Sequence, residues 1–387
     1  VQGTSSYAEQ KIEKFLQPLV GKPIDTHVLD TYLTRLTGVG RFESTSYGLA
    51  QNDGEVGLLV TVNEKNYAPP VLQLAADVNG TQPDNVTFGM GGRLTFLDIA
   101  GFGSELRTDF EFGNTYGIST EFYKRFTQTS RWFYAPHVNA SNSGDWFYSN
   151  GNPQADYRIG RAGVGGDIGY ALDRFSEVRA GYEIGYLNAS LKLGTPQFSS
   201  VKGGVGASRF RFITDHRDNP IVPHYGYSGE LNFHWLDTSP GAPAAFPSLE
   251  LKTEYFKRIS HTSSVFLIAE GGSTLGYEQT GIPQYYLGAT NGLLAYGQNE
   301  LRGNQFFLFR GGYLHRIFTL PSFLGGGIYG TALYEVGKMY NDPGVSKLPN
   351  DGAAGFIART PLGPLFLGGS VGDTGHATWF FNLGRVF

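Results

Sequence analysis

Ser370 lies in Gly368-Gly369-Ser370-Val371-Gly372, a literal G-x-S-x-G. That pattern supports acyl transfer when a sharp strand-to-helix turn lifts the serine hydroxyl clear of a sheet. Here the serine sits late in a strand pattern and no helical pattern follows. Asp351-Gly352-Ala353 matches the aspartate element of one class of serine lipases, but it precedes Ser370, where the order demands that it follow. The two stretches read as a glycine-rich strand and a hairpin turn. Gly163–Gly169 (GVGGDIG) also sits in a strand pattern with no helix after it, so it is not a dinucleotide loop. The eight histidines are scattered without ligand spacing, and neither H-E-x-x-H nor a Walker loop occurs. The expectation is therefore no catalytic residues, no metal and no cofactor.

A second constellation would hold rather than react. Leu301-Arg302-Gly303-Asn304 closes a Gly-, Gln-, Tyr- and Asn-rich stretch at about 277–303, just ahead of a strand. A connection that long inside a compact fold is usually functional. Leu333-Tyr334-Glu335-Val336-Gly337 lies on a later strand, where Leu333, Glu335 and Gly337 share a face. A guanidinium and a carboxylate can pair through two parallel hydrogen bonds, which gives both direction and strength. Gly303 lets the backbone pass close to a wall.

The elements that must position these residues are strands. In 224–235, HYGYSGELNFHW, the set Tyr225, Tyr227, Gly229, Leu231, Phe233, Trp235 alternates with His224, Gly226, Ser228, Glu230, Asn232, His234. Leu72, Leu74, Ala76 and Val78 alternate with Gln73, Ala75 and Asp77; Leu249, Leu251, Thr253 and Tyr255 alternate with Glu250, Lys252 and Glu254. A soluble sandwich also alternates, but here the polar faces are densely charged. Lipid outside and water or a polar plug inside explains both faces. With 55 Gly and 14% aromatics in 387 residues, mean hydropathy is only −0.22, as when alternate residues alone face lipid. There is no cysteine, so disulfides and thiolate sites are excluded. A net charge of −4 gives no nucleic-acid footprint. No apolar run approaches the roughly 18 residues of a spanning helix.

Sixteen strands are expected near 70–78, 85–97, 103–113, 115–125, 131–142, 155–171, 176–193, 201–216, 224–236, 248–259, 262–276, 304–318, 326–339, 351–360, 363–372 and 378–387. An even number suits a bacterial single-chain barrel. The first 67 residues differ. Ile12, Phe15, Leu16 and Leu19 repeat at helical spacing, blemished by Pro18. Asp25 then caps a second helix carrying Val28, Leu29, Tyr32, Leu33 and Leu36, which Gly38 ends. Two strands, FESTSYGL and EVGLLVTVNEK, follow across Asn52-Asp53-Gly54. The opening Val1-Gln2-Gly3 reads as the tail of a truncated strand.

A helix-helix-strand-strand unit before sixteen strands resembles the POTRA-plus-barrel superfamily of outer-membrane proteins, which includes the BamA and TamA insertases and the two-partner secretion transporters. The resemblance implies that the sixth extracellular loop folds into the lumen and ends in a V/I-R-G-F/Y motif, whose arginine pairs with the acid of an F-x-D-x-G motif. Leu301-Arg302-Gly303-Asn304 is similar to the first, with Leu301 for the β-branched residue and Asn304 for the aromatic. Leu333–Gly337 is similar to the second, with Leu333 for Phe and Glu335 for Asp. The closing WFFNLGRVF puts Trp379, Phe381, Leu383 and Phe387 on one face and resembles the last-strand signal read by the barrel-assembly machinery; Arg385 would snorkel from that face.

Four stretches narrow the resemblance: GKPIDTHVLDTYLTRLTGVGRFESTSYGL, VNEKNYAPPVLQL, TEFYKRFTQTSRWFYAPHV and DHRDNPIVPHYGY. They resemble the C-terminal part of bacterial patatin-like phospholipases of type Vd secretion (PlpD-like). What this implies is a POTRA domain at 1–67 in the periplasm and a barrel at 68–387 in the Gram-negative outer membrane. The role implied is translocator and anchor for a fused upstream patatin-like lipase. The fragment itself is then no enzyme; its partners are outer-membrane lipids, the barrel-assembly machinery and that passenger, with a homodimer left open. The alternatives are a stand-alone insertase or two-partner transporter, a passive porin or structural anchor, and an outer-membrane phospholipase using Ser370.

Overall fold

The computed structural model describes all residues except 5, 27, 31, 34–41, 53–54, 65–69, 83–84, 102, 128–129, 320–326, 341–347, 361–362, 374 and 385–387. Helix α1 (Ser6–Leu16) turns Ile12, Phe15 and Leu16 inward, the i, i+3, i+4 spacing of a single buried stripe. Pro18 lacks an N–H to continue the ladder, and the chain tightens into a 3-10 turn at Gln17–Leu19. Asp25 Oδ1 then accepts the Val28 N–H at 3.2 Å, the N-cap bond of a second helical segment at 26, 28–30 and 32–33. Leu29 and Leu33 from that segment meet Val60 and Val62, forming one small core with α1. The valines belong to β2 (Glu55–Glu64), paired antiparallel with β1 (Phe42–Asn52). Gln2 makes a one-residue parallel bridge to Thr61. The turn at 53–54, the helix end at Gly38 and the boundary at 67–68 lie outside the described residues.

From Val71 the chain is almost entirely strand. On the first half of the wall are β3 (Val71–Gln82), β4 (Asn85–Leu97), β5 (Glu105–Gly113), β6 (Thr115–Arg125), β7 (Trp132–Ser149), β8 (Asn152–Ala171), β9 (Ser176–Gly194) and β10 (Val201–Asp215). Next come β11 (Gly226–Thr238), β12 (Phe246–Arg258) and β13 (Ser263–Ser273). A long connection carries the short strands β14 (Tyr285–Leu287) and β15 (Leu301–Gly303). The wall resumes with β16 (Gln305–Phe318), β17 (Ile328–Met339), β18 (Asn350–Thr360), β19 (Gly363–Gly372) and β20 (Ala377–Leu383). Leaving out β1–β2 and β14–β15, sixteen strands close into one antiparallel barrel. Closure gives each of these strands a neighbour on both sides, the condition for crossing hydrocarbon.

The sixteen expected strands match these positions. The main difference is that β7 and β8 run on to Ser149 and Asn152, beyond the expected 142 and 155, as a tall hairpin. On β11, Tyr227 and Trp235 face outward, about half exposed, while inward Glu230 takes a 2.8 Å ion pair from Arg211. Leu251 and Tyr255 of β12 are similarly outward, and Glu254 between them is 5% exposed inside. The charged inner face spans β4 to β13. Arg179 meets Glu121 at 2.8 Å, Arg209 meets Asp167 at 2.9 Å and Arg217 meets Glu254 at 2.7 Å.

The expectation of a wholly polar lumen is corrected on the other arc. From β12 to β20, inward Phe256, Phe266, Ile268, Ile357, Phe366 and Phe380 are buried in one apolar cluster. Val222 of the 216–225 turn and Leu294 of the long loop cover it. Those two segments cover part of the arc, which lowers the cost of apolar residues there.

The ring closes between β20 and β3 through only two described register pairs, Asn382 with Asn79 and Leu383 with Val78. Other neighbours share long ladders, such as Trp132 to Ser149 against β8.

Candidate functional site: a lumenal loop and its two anchorages

Residues 274–304 leave β13 and fold back into the barrel before β16 begins. Their stalk is the β14–β15 hairpin, with Tyr286 opposite Arg302. Leu287, Leu293 and Leu301 are buried with Phe306, Leu308 and Met339 of the wall. A Cβ on Gly337 would come 3.1 Å from Leu308 Cδ1 and 3.6 Å from Leu293 Cδ1, so a bare backbone there admits the loop tip. A Cβ on Gly303 would meet the Tyr340 carbonyl at 2.8 Å.

The inner anchorage is acidic. Glu335 on β17 is 0% exposed. Its Oε1 accepts Arg310 Nε at 2.6 Å and its Oε2 accepts the Leu294 N–H at 2.9 Å. Asp351, opposite Glu335 in register on β18, accepts the Ala295 N–H at 2.8 Å. Two buried carboxylates thus grip consecutive amides at the loop tip, beside one guanidinium. Glu335 has a directed donor on each oxygen, whereas Asp351 has one on Oδ2 and none on Oδ1 among the described residues.

This corrects the expected Arg302–Glu335 pair. The cation at Glu335 is Arg310, its cross-strand neighbour on β16, which reaches it without any help from the loop. Arg302 lies on the stalk, and its Nη2 donates to Gln197 Oε1 in the 195–200 connection. Arg310 was legible in principle: in QFFLFRGGYL, strict alternation puts it on the same inward face as Phe306 and Leu308. Asp351 was read as a hairpin turn; it is the second residue of β18 and is buried.

The outer anchorage includes Arg302. Tyr157 OH donates to the Phe198 carbonyl at 2.6 Å and accepts the Gln197 N–H at 2.9 Å, and its ring stacks on Phe198 at 4.1 Å. The tall β7–β8 hairpin holds the loop from the side. Tyr148 N donates to the Gln298 carbonyl at 3.1 Å, Asn299 Nδ2 to the Trp146 carbonyl at 3.0 Å, and Asn150 N to Glu300 Oε1 at 2.6 Å.

Other candidates sit elsewhere. Ser370 is 3% exposed in mid-strand on β19, opposite Ala353, with no strand-to-helix turn. Trp379 is 79% exposed and Phe381 36% exposed, both outward. Leu383 is half-buried at the seam. Phe387 and Arg385 lie outside the described residues.

A closed barrel, apolar outside, with a small α+β region ahead of it and a loop clasped in its lumen, is an outer-membrane β-barrel of the internally plugged kind. The Omp85 superfamily domain matches residues 98–341, and the chain belongs to that superfamily. In solved structures the fold is similar to BamA from Haemophilus ducreyi lacking POTRA domains 1–3, with a TM-score of 0.71 at 12% identity, covering 98% of this chain and 82% of that one. It is also similar to CdiB from Escherichia coli, with a TM-score of 0.61 at 14% identity, covering 97% and 73%. CdiB from Acinetobacter baumannii gives a TM-score of 0.59 at 10% identity, covering 94% and 69%. No functionally curated protein sequence matches the chain.

Proposed function

We propose that the chain is the outer-membrane translocator and anchor of an N-terminally fused patatin-like phospholipase, a form of type V secretion. The observation that favours a translocator over a passive porin is the loop gripped at both ends inside the lumen. An open pore has no use for two buried carboxylates aimed at loop amides. The patatin passenger rests on the four stretches quoted above. Residues 1–67, in this reading, form a POTRA domain in the periplasm beside the barrel mouth, and 68–387 form the barrel. Arg302 with Leu301 and Gly303 fastens the stalk, while Glu335 and Gly337 receive the tip. Trp379, Phe381, Leu383 and Phe387 form the signal read by the barrel-assembly machinery.

Export needs either displacement of the loop or parting of the β3–β20 seam, which two register pairs close among the described residues. Because the chain has no cysteine, Asn79→Cys with Asn382→Cys can lock that seam cleanly. The seam route expects the oxidised double variant to lose surface display of the passenger and reduction to restore it; normal display while locked rejects the route. The second reading, a stand-alone insertase or two-partner transporter, is favoured by the fold likeness to BamA and CdiB. The reading frame upstream of Val1 separates the two. A patatin domain with its own G-x-S-x-G elbow supports the first, and further POTRA units without a lipase support the second.

A further inference from the structure

Beneath the loop the lumen holds a cavity of about 750 Å³, within the size range of small-molecule sites. Its walls differ in chemistry. One side, from β12 and β13, presents Glu250, Lys252 and Glu270. Lys252 Nζ lies 3.0 Å from Glu254 and 3.6 Å from Glu270, and Glu254 is also held by Arg217. The Glu250 carboxylate has no ion pair or hydrogen bond among the described residues. That wall carries surplus negative charge, and Arg310, held by Glu335, adds a cation elsewhere on the cavity lining. The opposite wall is Leu333, Ile357, Phe366 and Phe380. Thr331, 7% exposed, also lines the cavity, and its Oγ1 has no hydrogen-bond partner among the described residues.

Strand β20 links this cavity to the bilayer. Outer-membrane strands are expected to be apolar outside and polar inside. Trp379 and Phe381 obey on the outer face, but Phe380 between them is buried inside. The next inward residue, Asn382, lines the cavity and also pairs with Asn79 of β3. Parting this seam therefore joins the hydrocarbon to an apolar inner wall.

We propose that this cavity binds a single-chain amphiphile with an ammonium-bearing head group, entering from the membrane through the β3–β20 seam. The chain lies on Ile357, Phe366 and Phe380, and the ammonium sits between Glu250 and Glu270. One acyl chain with its head suits the volume, and a two-chain lipid exceeds it. The inference stands on the cavity and the seam, and holds whichever passenger the barrel carries.

The test uses the whole chain reconstituted in dioleoylphosphatidylcholine vesicles. The probe is a lysophosphatidylethanolamine with a diazirine on its acyl chain, photolysed and mapped by peptide mass spectrometry. The expected label falls on the inward residues Ile357, Phe366 and Phe380. Unlabelled lysophosphatidylethanolamine should displace it at least tenfold better than lysophosphatidylglycerol of the same chain, and Glu250→Gln should erase that preference. Ile357→Trp, which fills the cavity, should cut inward labelling tenfold and spare Trp379. Label confined to outward Trp379 and Phe381 would mean boundary lipid and overturn the site. Equal displacement by both competitors would overturn the head-group assignment. The map on the unaltered chain decides the site even where a variant fails to insert.

Discussion

At Glu335, two carboxylate oxygens meet two donors of different origin, one from the wall and one from the loop. Removing the carboxylate strands the Arg310 guanidinium in a site where its side chain is 10% exposed. Breaking one partner from such a pair costs about 3–5 kcal/mol. Glu335→Ala should lower the denaturant midpoint accordingly and expose 277–303 to protease. Arg302 is held by the 195–200 connection, so Arg302→Ala should speed cleavage within 277–303 while the barrel's unfolding shifts by less than about 1 kcal/mol. Unchanged proteolysis would remove Arg302 from loop holding. His224, in the 216–225 turn, has its imidazole pushed below the ordinary value by burial. The folded state therefore prefers neutral His224, and its contribution is present at neutral pH and lost as pH falls below the unfolded value of about 6.5. His224→Gln should flatten the stability profile between pH 7 and 5. An identical profile in the variant would show that other groups set it.

At the level of the strand, the two faces have different rules. Leu251 is 47% exposed on the outer face, and its neighbour Lys252 points into the lumen. Leu251→Arg should cost about 2–4 kcal/mol of folding into bilayers if the site lies near the midplane depth its mid-strand position implies. Lys252→Gln should cost less, because buried Glu254 keeps its 2.7 Å pair with Arg217 and Glu270 is partly exposed. Refolding from urea into vesicles measures both, and equal losses would contradict the assignment of faces. Strand positions were legible for the same reason: a period of two over eight or more residues leaves few alternatives. The overrun of β7 and β8 was not, because in Ser141–Gln154 small polar residues blur the alternation.

For the whole molecule, the decisive fact is that the lumen is filled from within. Deleting 277–303 should convert a barrel of low conductance into one with steady ion current in planar bilayers. Steady current from the undeleted chain would instead favour the passive-pore reading. The sequence by itself determined the strand number, the outward and inward faces, the absence of cysteine, and a long loop worth attention. All of these follow from local periodicity and composition. It also placed Glu335 inside, by parity with Leu333. Only the tertiary structure decided which cation meets that carboxylate, that Asp351 joins it, that one lumenal arc is apolar, and that β20 closes the ring on β3. Those facts depend on register between strands and on where a loop of some thirty residues comes to rest, and neither is encoded in the spacing of residues along one strand.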